Sequence, residues 1–164
     1  REKEVCLLHG VTSSGKTEVY VRLIDEVLKM GRQVLYMLPE IAITTQITER
    51  LAKLFGDKLL VYHSKFSDNE RVEVWNRLLH TGEPMLVLGV RSSLFLPFKD
   101  LGLIIIDEEH ENTYKQQDPA PRYHARNAAL VLAGMHGAKT LLGSATLPLI
   151  LILMPLSANM VWWN

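Results

Sequence analysis

The sequence predicts an α/β domain with a mainly parallel sheet and helices on both faces. Three observations predict it. Short apolar runs alternate with helix-patterned segments along most of the chain. The runs are continuously apolar rather than alternating, as expected of strands covered on both faces. The first run passes through a glycine-bearing turn straight into a helical pattern.

The elements follow in order. Strands are expected at Val5–Leu8, Gln33–Leu38, Leu59–Tyr62, Met85–Leu88, Leu103–Ile106 and Lys139–Leu142. Helices are expected at Thr17–Met30, Thr44–Phe55, Asp68–His80 and Tyr123–His136. The third helix carries its own start signal. Ser67 precedes it and Glu70 follows three residues later, the spacing of a capping box. Val72, Trp75, Leu78 and Leu79 then form its expected apolar face, with Trp75 in the core, and Gly82 ends it.

The chain has 164 residues, enough for one domain with a substantial core. Charged residues make up 22% and apolar ones 48%, which excludes a disordered chain. The formal net charge is zero, so no global basic field announces nucleic acid; a local stripe would suffice for it. Cys6 is the only cysteine, which excludes an intrachain disulfide and a cysteine-clustered metal site. A reducing, cytoplasmic setting fits that usage. No signal peptide is expected from its opening residues. The longest apolar run, Leu147 to Leu156, contains Pro148 and Pro155 and is too short to span a bilayer, so no membrane association is expected.

The chemistry begins at "GVTSSGKT". Gly10, Val11, Thr12, Ser13, Ser14, Gly15, Lys16 and Thr17 match G-x-x-x-x-G-K-[ST]. A triphosphate needs several backbone N–H groups converging on it, and glycines let the chain fold close. The helix that follows adds its positive N-terminus. Lys16 would reach the outer phosphates, and Thr17 would offer its hydroxyl to Mg²⁺. Against this stands the plain reading of a Ser/Gly turn before a helix.

The second piece is an acid cluster. Leu103–Ile106 runs directly into Asp107, Glu108 and Glu109, then His110. Adjacent carboxylates repel, so a cation there would relieve the cluster. Asp107 is the candidate Mg²⁺ ligand and Glu108 the candidate for orienting water; Glu109 has the weakest case. The plain alternative is a solvated strand end.

With both pieces in place, the chain resembles the first RecA-like lobe of a superfamily 2 helicase. The "DEEH" of Asp107–His110 looks like the acid motif of DEAD/DEAH proteins. "GSAT", Gly143–Thr146, looks like the motif that links nucleotide state to DNA grip. "LPEIAITTQ" and "GVRSSLFLPF" look like the two motifs between them. Together with "LLHGVTSSGKTEVY", "IIDEEHENTYKQQ" and "RYHAR", these strings resemble the primosomal replication-restart helicases, from Glu4 to Thr146. The resemblance implies ATP binding by Gly10–Thr17, Mg²⁺ held by Thr17 and Asp107, and water activation by Glu108. It makes Lys16, Asp107, Glu108 and His110 the catalytic set, with His110 coupled to Ser144 and Thr146. Ser13 stands where the family has glycine, which puts phosphate affinity in question.

The segment Asn112–Arg126 resembles the aromatic-rich loop that couples DNA to ATP hydrolysis in such enzymes. Tyr114 and Tyr123 offer stacking faces, and Lys115, Arg122 and Arg126 offer phosphate contacts. Thr44 with Thr45, and Arg91 with Ser92 and Ser93, are further backbone-contact candidates, although such residues also cap helices. His63 reads as structural and carries no metal assignment.

The resemblance implies an organisation too. Residues 1–146 form the ATP-binding lobe, and 147–164 depart from the family pattern. The arginine-bearing second lobe, the zinc-binding cysteines and the family's separate DNA-binding domain are all expected elsewhere, so the chain reads as a fragment with negligible unwinding of its own. A shifted coding frame is one reading of the tail. The expected parent is a DNA-dependent ATPase and 3′→5′ helicase in replication restart, meeting DNA, primosome proteins and single-strand-binding proteins. A non-catalytic nucleotide or DNA-binding module, another superfamily 2 translocase and a small-molecule kinase remain the alternatives.

Overall fold

The computed structural model describes residues 5–9, 15–107, 125–144 and 150–154. They contain seven strands: β1 (Val5–His9), β2 (Gln33–Met37), β3 (Leu59–Tyr62), β4 (Leu86–Gly89), β5 (Leu101–Ile106), β6 (Lys139–Ser144) and β7 (Ile150–Met154). Four helices accompany them: α1 (Lys16–Lys29), α2 (Thr45–Phe55), α3 (Asp68–Thr81) and α4 (Ala125–His136). The sheet order is β3-β4-β2-β5-β6-β1-β7. Every pairing is parallel except β1 with β7, which is antiparallel.

The continuous apolar runs are explained by helices on both faces. Along β2, Val34 and Tyr36 join the apolar cluster of α1 and α2, with Ile24, Leu28 and Leu51. Their neighbours Leu35 and Met37 join the cluster of α3 and α4, with Val74, Leu78, Ala129 and Ala133. Successive side chains face opposite ways, so a strand between two helix layers needs apolar residues at every position. All five residues of β2 are buried. The expected α/β architecture is the one observed.

Three differences from the sequence reading have physical causes. β5 starts at Leu101, two residues earlier than expected, because Gly102 serves in the strand as a space. A Cβ there would come within 2.8 Å of Val27 Cγ1 and 3.0 Å of Arg32 Cβ, so the close approach of α1 needs glycine. β7 lies in the tail, where no strand was expected, and pairs with β1 from Val5↔Met154 to His9↔Ile150. The third difference is α3. Its capping box is present, with Ser67 N–H donating to Glu70 Oε2 at 2.7 Å and Glu70 N–H donating to Ser67 Oγ at 3.4 Å. Its buried face, however, is Val74 and Leu78, an i, i+4 pair. Trp75 is 44% exposed, not a core residue, and Val72 and Leu79 are exposed with it. Leu78 alone belongs to both the expected and the observed face. α3 covers the edge strand β3 and meets only a narrow strip of sheet, so it buries little of its apolar surface.

At the opposite end from the strand tips, Arg32 ties elements together. Its guanidinium donates to Asp100 Oδ1 at 3.0 Å, to the Leu101 carbonyl at 2.8 Å and to the His136 carbonyl at 2.9 Å. No helix among the described residues is long and apolar enough to cross a membrane.

Candidate functional site

Parallel pairing places the carboxyl ends of β1 to β6 on one edge of the sheet, where ligands of such folds collect. Gly15 lies just before α1 with φ +80°, a left-handed conformation that glycine adopts without penalty. Its carbonyl accepts the N–H groups of Glu18 and Val19, which starts the helix. Lys16 is the first residue of α1 and is buried, at 5% exposure. Asp107 follows β5, and its N–H still donates to the Met37 carbonyl of β2 at 3.0 Å. Lys16 Nζ and Asp107 Oδ1 are 3.8 Å apart. Residues 91 positions apart in sequence therefore form an ion pair, because β1 and β5 flank the same strand, β6.

Two tyrosines also donate to Asp107. Tyr20 Oη donates to Asp107 Oδ1 at 3.0 Å, and Tyr36 Oη donates to Asp107 Oδ2 at 3.3 Å. Both rings are buried and meet edge to face at 5.4 Å between centroids. Gly143 of β6 lies against the same group. A Cβ at that position would collide with the Tyr20 hydroxyl and come within 2.6 Å of Asp107 Oδ1. The first residue of "GSAT" is thus glycine for a steric reason. Sequence reading passed over both tyrosines. The available signal was spacing: Tyr20 is one helical turn beyond Lys16, and Tyr36 shares a strand face with Val34. A tyrosine on a buried face needs a partner for its hydroxyl.

The structure brings together Lys16, Gly15 and Asp107, with half-buried Thr17 beside Lys16 at the start of α1. Thr44 caps α2, its Oγ1 accepting the Ile47 N–H at 3.4 Å. It lines a cleft of about 280 Å³ with Thr45, Thr48, Glu49, His63 and Phe66. His63 packs on Phe66, ring centroids 4.1 Å apart. Arg91 is half-buried and Ser92 exposed in the short helical turn after β4. Ser93 is fully buried and its hydroxyl donates to the Val90 carbonyl, so it is not a surface contact residue. Arg126 is half-buried in the first turn of α4, and Ser144 ends β6 beside β1. Gly10, Val11, Thr12, Ser13, Ser14, Glu108, His110, Tyr114, Lys115, Arg122, Tyr123 and Thr146 lie outside the described residues.

The donor set fits a nucleotide with a divalent cation. A buried ammonium suits phosphate oxygens, a carboxylate and a threonine hydroxyl are hard oxygen ligands of the kind Mg²⁺ takes, and the helix start adds N–H donors. Gly143 lets the carboxylate pack close against β6, where a Cβ would come within 2.6 Å of Asp107 Oδ1. Cys6, half-buried in β1, has its thiol pushed up by burial, which suits a packing residue rather than a nucleophile.

The chain is similar to known proteins over most of its length. Residues 1–152 match the DEAD/DEAH box helicase family. The chain is 48% identical over 145 residues to the replication restart protein PriA of Bacillus subtilis strain 168, covering 88% of this chain and 18% of that protein. It is 49% identical over 142 residues to PriA of Haemophilus influenzae, covering 87% and 19%. Among solved structures it is similar to the Mycobacterium smegmatis helicase Lhr bound to ssDNA and AMP-PNP. The TM-score is 0.62 at 19% identity, over 88% of this chain and 21% of that one. The chain spans under a fifth of the length of these PriA relatives.

Proposed function

We propose, from the premise that this chain belongs to the DEAD/DEAH box helicase family, that it is the ATP-binding lobe of a DNA-dependent ATPase and 3′→5′ helicase acting in replication restart. The observation that carries the proposal is the Lys16–Asp107 pair at 3.8 Å, at the convergent ends of β1 and β5. In this reading Lys16 binds the outer phosphates, and the start of α1 supplies N–H donors to them. Thr17 and Asp107 would hold Mg²⁺, which offsets the phosphate charge when bound. Glu108 orients the attacking water, and His110 relays its state towards Ser144 and Thr146. Thr44, Arg91 and Ser92 touch a DNA strand along the same sheet edge, and Tyr114, Lys115, Arg122, Tyr123 and Arg126 add stacking and phosphate contacts.

The whole protein's partners belong to this proposal as well: forked or single-stranded DNA, primosome and single-strand-binding proteins, in the cytoplasm, with zinc held elsewhere in the parent. Likeness to PriA at 48% and 49% identity supports the replication-restart assignment. A DNA-stimulated ATPase assay on this chain and on its full-length parent tests it. The parent should hydrolyse ATP faster with forked DNA, and Lys16→Ala and Glu108→Gln should each lower that rate by at least about a hundredfold. This chain alone should unwind nothing. A parent whose ATPase ignores DNA, or unwinding by this chain, would overturn the assignment.

A further inference from the structure

We infer that Tyr20 and Tyr36 are positioning residues that hold the Asp107 carboxylate in the orientation in which it takes a divalent cation. The inference rests on the nucleotide-site reading above and extends it to two side chains with no part in the phosphate or acid motifs. Each oxygen of Asp107 receives one phenol: Tyr20 at 3.0 Å on Oδ1 and Tyr36 at 3.3 Å on Oδ2. A carboxylate has about four acceptor positions. The two phenols come from different elements, and Oδ1 also lies 3.8 Å from Lys16 Nζ.

The donors are rigid. Tyr20 is 0% and Tyr36 1% exposed, one on α1 and the other on β2, and their rings brace each other edge to face. Turning the carboxylate about its bond to Cβ would break both hydrogen bonds at once. Gly143 closes the arrangement from β6, where any side chain would displace the Tyr20 hydroxyl and Oδ1 together. Ligating carboxylates are commonly fixed by such outer hydrogen bonds, and losing one typically costs about 10- to 100-fold in metal affinity or activity. The phenols contribute no charge, so their role is orientation, distinct from that of Lys16.

The test measures nucleotide affinity of this chain twice, with a fluorescent ATP analogue in saturating Mg²⁺ and again in excess chelator. The ratio of the two affinities reports how well Asp107 uses the cation. Tyr20→Phe and Tyr36→Phe each remove one oxygen atom and keep the ring. Each should lower the ratio by about tenfold, with affinity in chelator within about twofold of wild type. Asp107→Asn should abolish the ratio. A merely structural role would weaken both affinities alike. Unchanged ratios in both phenylalanine variants, beside a collapsed ratio in Asp107→Asn, would overturn the positioning role and leave the nucleotide site standing. A wild-type chain whose binding ignores Mg²⁺ would sink both. A Tyr20→Phe chain that fails to fold by circular dichroism would assign that hydroxyl to stability and count against the inference.

Discussion

Helices α1 and α3 are equal in length and held in opposite ways. α1 covers the middle of the sheet, where Tyr20, Ile24 and Leu28 are buried at successive four-residue steps. The residue that precedes it, Gly15, has no side chain to cap with. α3 lies at the sheet margin and buries only Val74 and Leu78. It is secured at its ends instead, by the Ser67–Glu70 box and by Gly82 in a left-handed turn. A helix with a broad buried face can leave its first-turn N–H groups for an anion. A helix with a narrow one needs those groups satisfied by its own side chains. The proposed phosphate-binding end therefore lies on the helix that packing, not capping, holds.

The contrast can be broken in three places. The largest effect should come from Ile24→Ala, which opens a cavity under α1 and should cost about 3 kcal/mol of unfolding free energy in urea titration. A loss well under 1 kcal/mol would mean α1 is not anchored by its buried face. The next concerns Glu70. Its carboxyl is held below the usual range by the Ser67 backbone N–H first and the Ser67 hydroxyl second. A lowered folded pKa stabilises above the ordinary carboxylate value, and that contribution fades as pH falls through the folded value. The Tm gap between wild type and Glu70→Ala should therefore be full near pH 7 and shrink below about pH 4. A gap that ignores pH would remove the carboxylate from the cap. The smallest effect is expected at Trp75→Ala, within about 0.5 kcal/mol, since the residue is 44% exposed and lies outside the buried face of α3. A loss of 2 kcal/mol there would restore Trp75 to the core and erase the contrast.

The same pair of helices shows what was legible in the sequence. Strands and helices were readable because burial on two faces demands continuous apolar runs, as Val34–Met37 displays. Lys16 and Asp107 stood out as candidates because phosphate and cation binding restrict residue type and spacing, and the structure pairs them at 3.8 Å. The α3 face was not. Its apolar residues point in more than one direction, and only the width of sheet beneath decides which are covered. The two tyrosines were hidden for another reason: their meaning lies in a partner 87 and 71 residues away. Ser93 was misplaced among surface candidates because a hydroxyl after a strand looks the same whether it faces water or the Val90 carbonyl. β7 was overlooked because its apolar run lies between prolines, which argue against a long element and not against a five-residue strand.

The position of β1 has a consequence for synthesis on the ribosome. β1 comes just before the proposed phosphate-binding sequence, yet its neighbours in the sheet are β6 and β7. Val5 pairs with Thr140 on one side and Met154 on the other. At about 5–20 residues per second of translation, the strand made first waits several seconds for any partner. Strands β2, β3, β4 and β5 can pair among themselves before then. The proposed nucleotide site is thus among the last parts of the fold to close, and, on that proposal, capture of ATP by a nascent chain would report that β1 has joined the sheet.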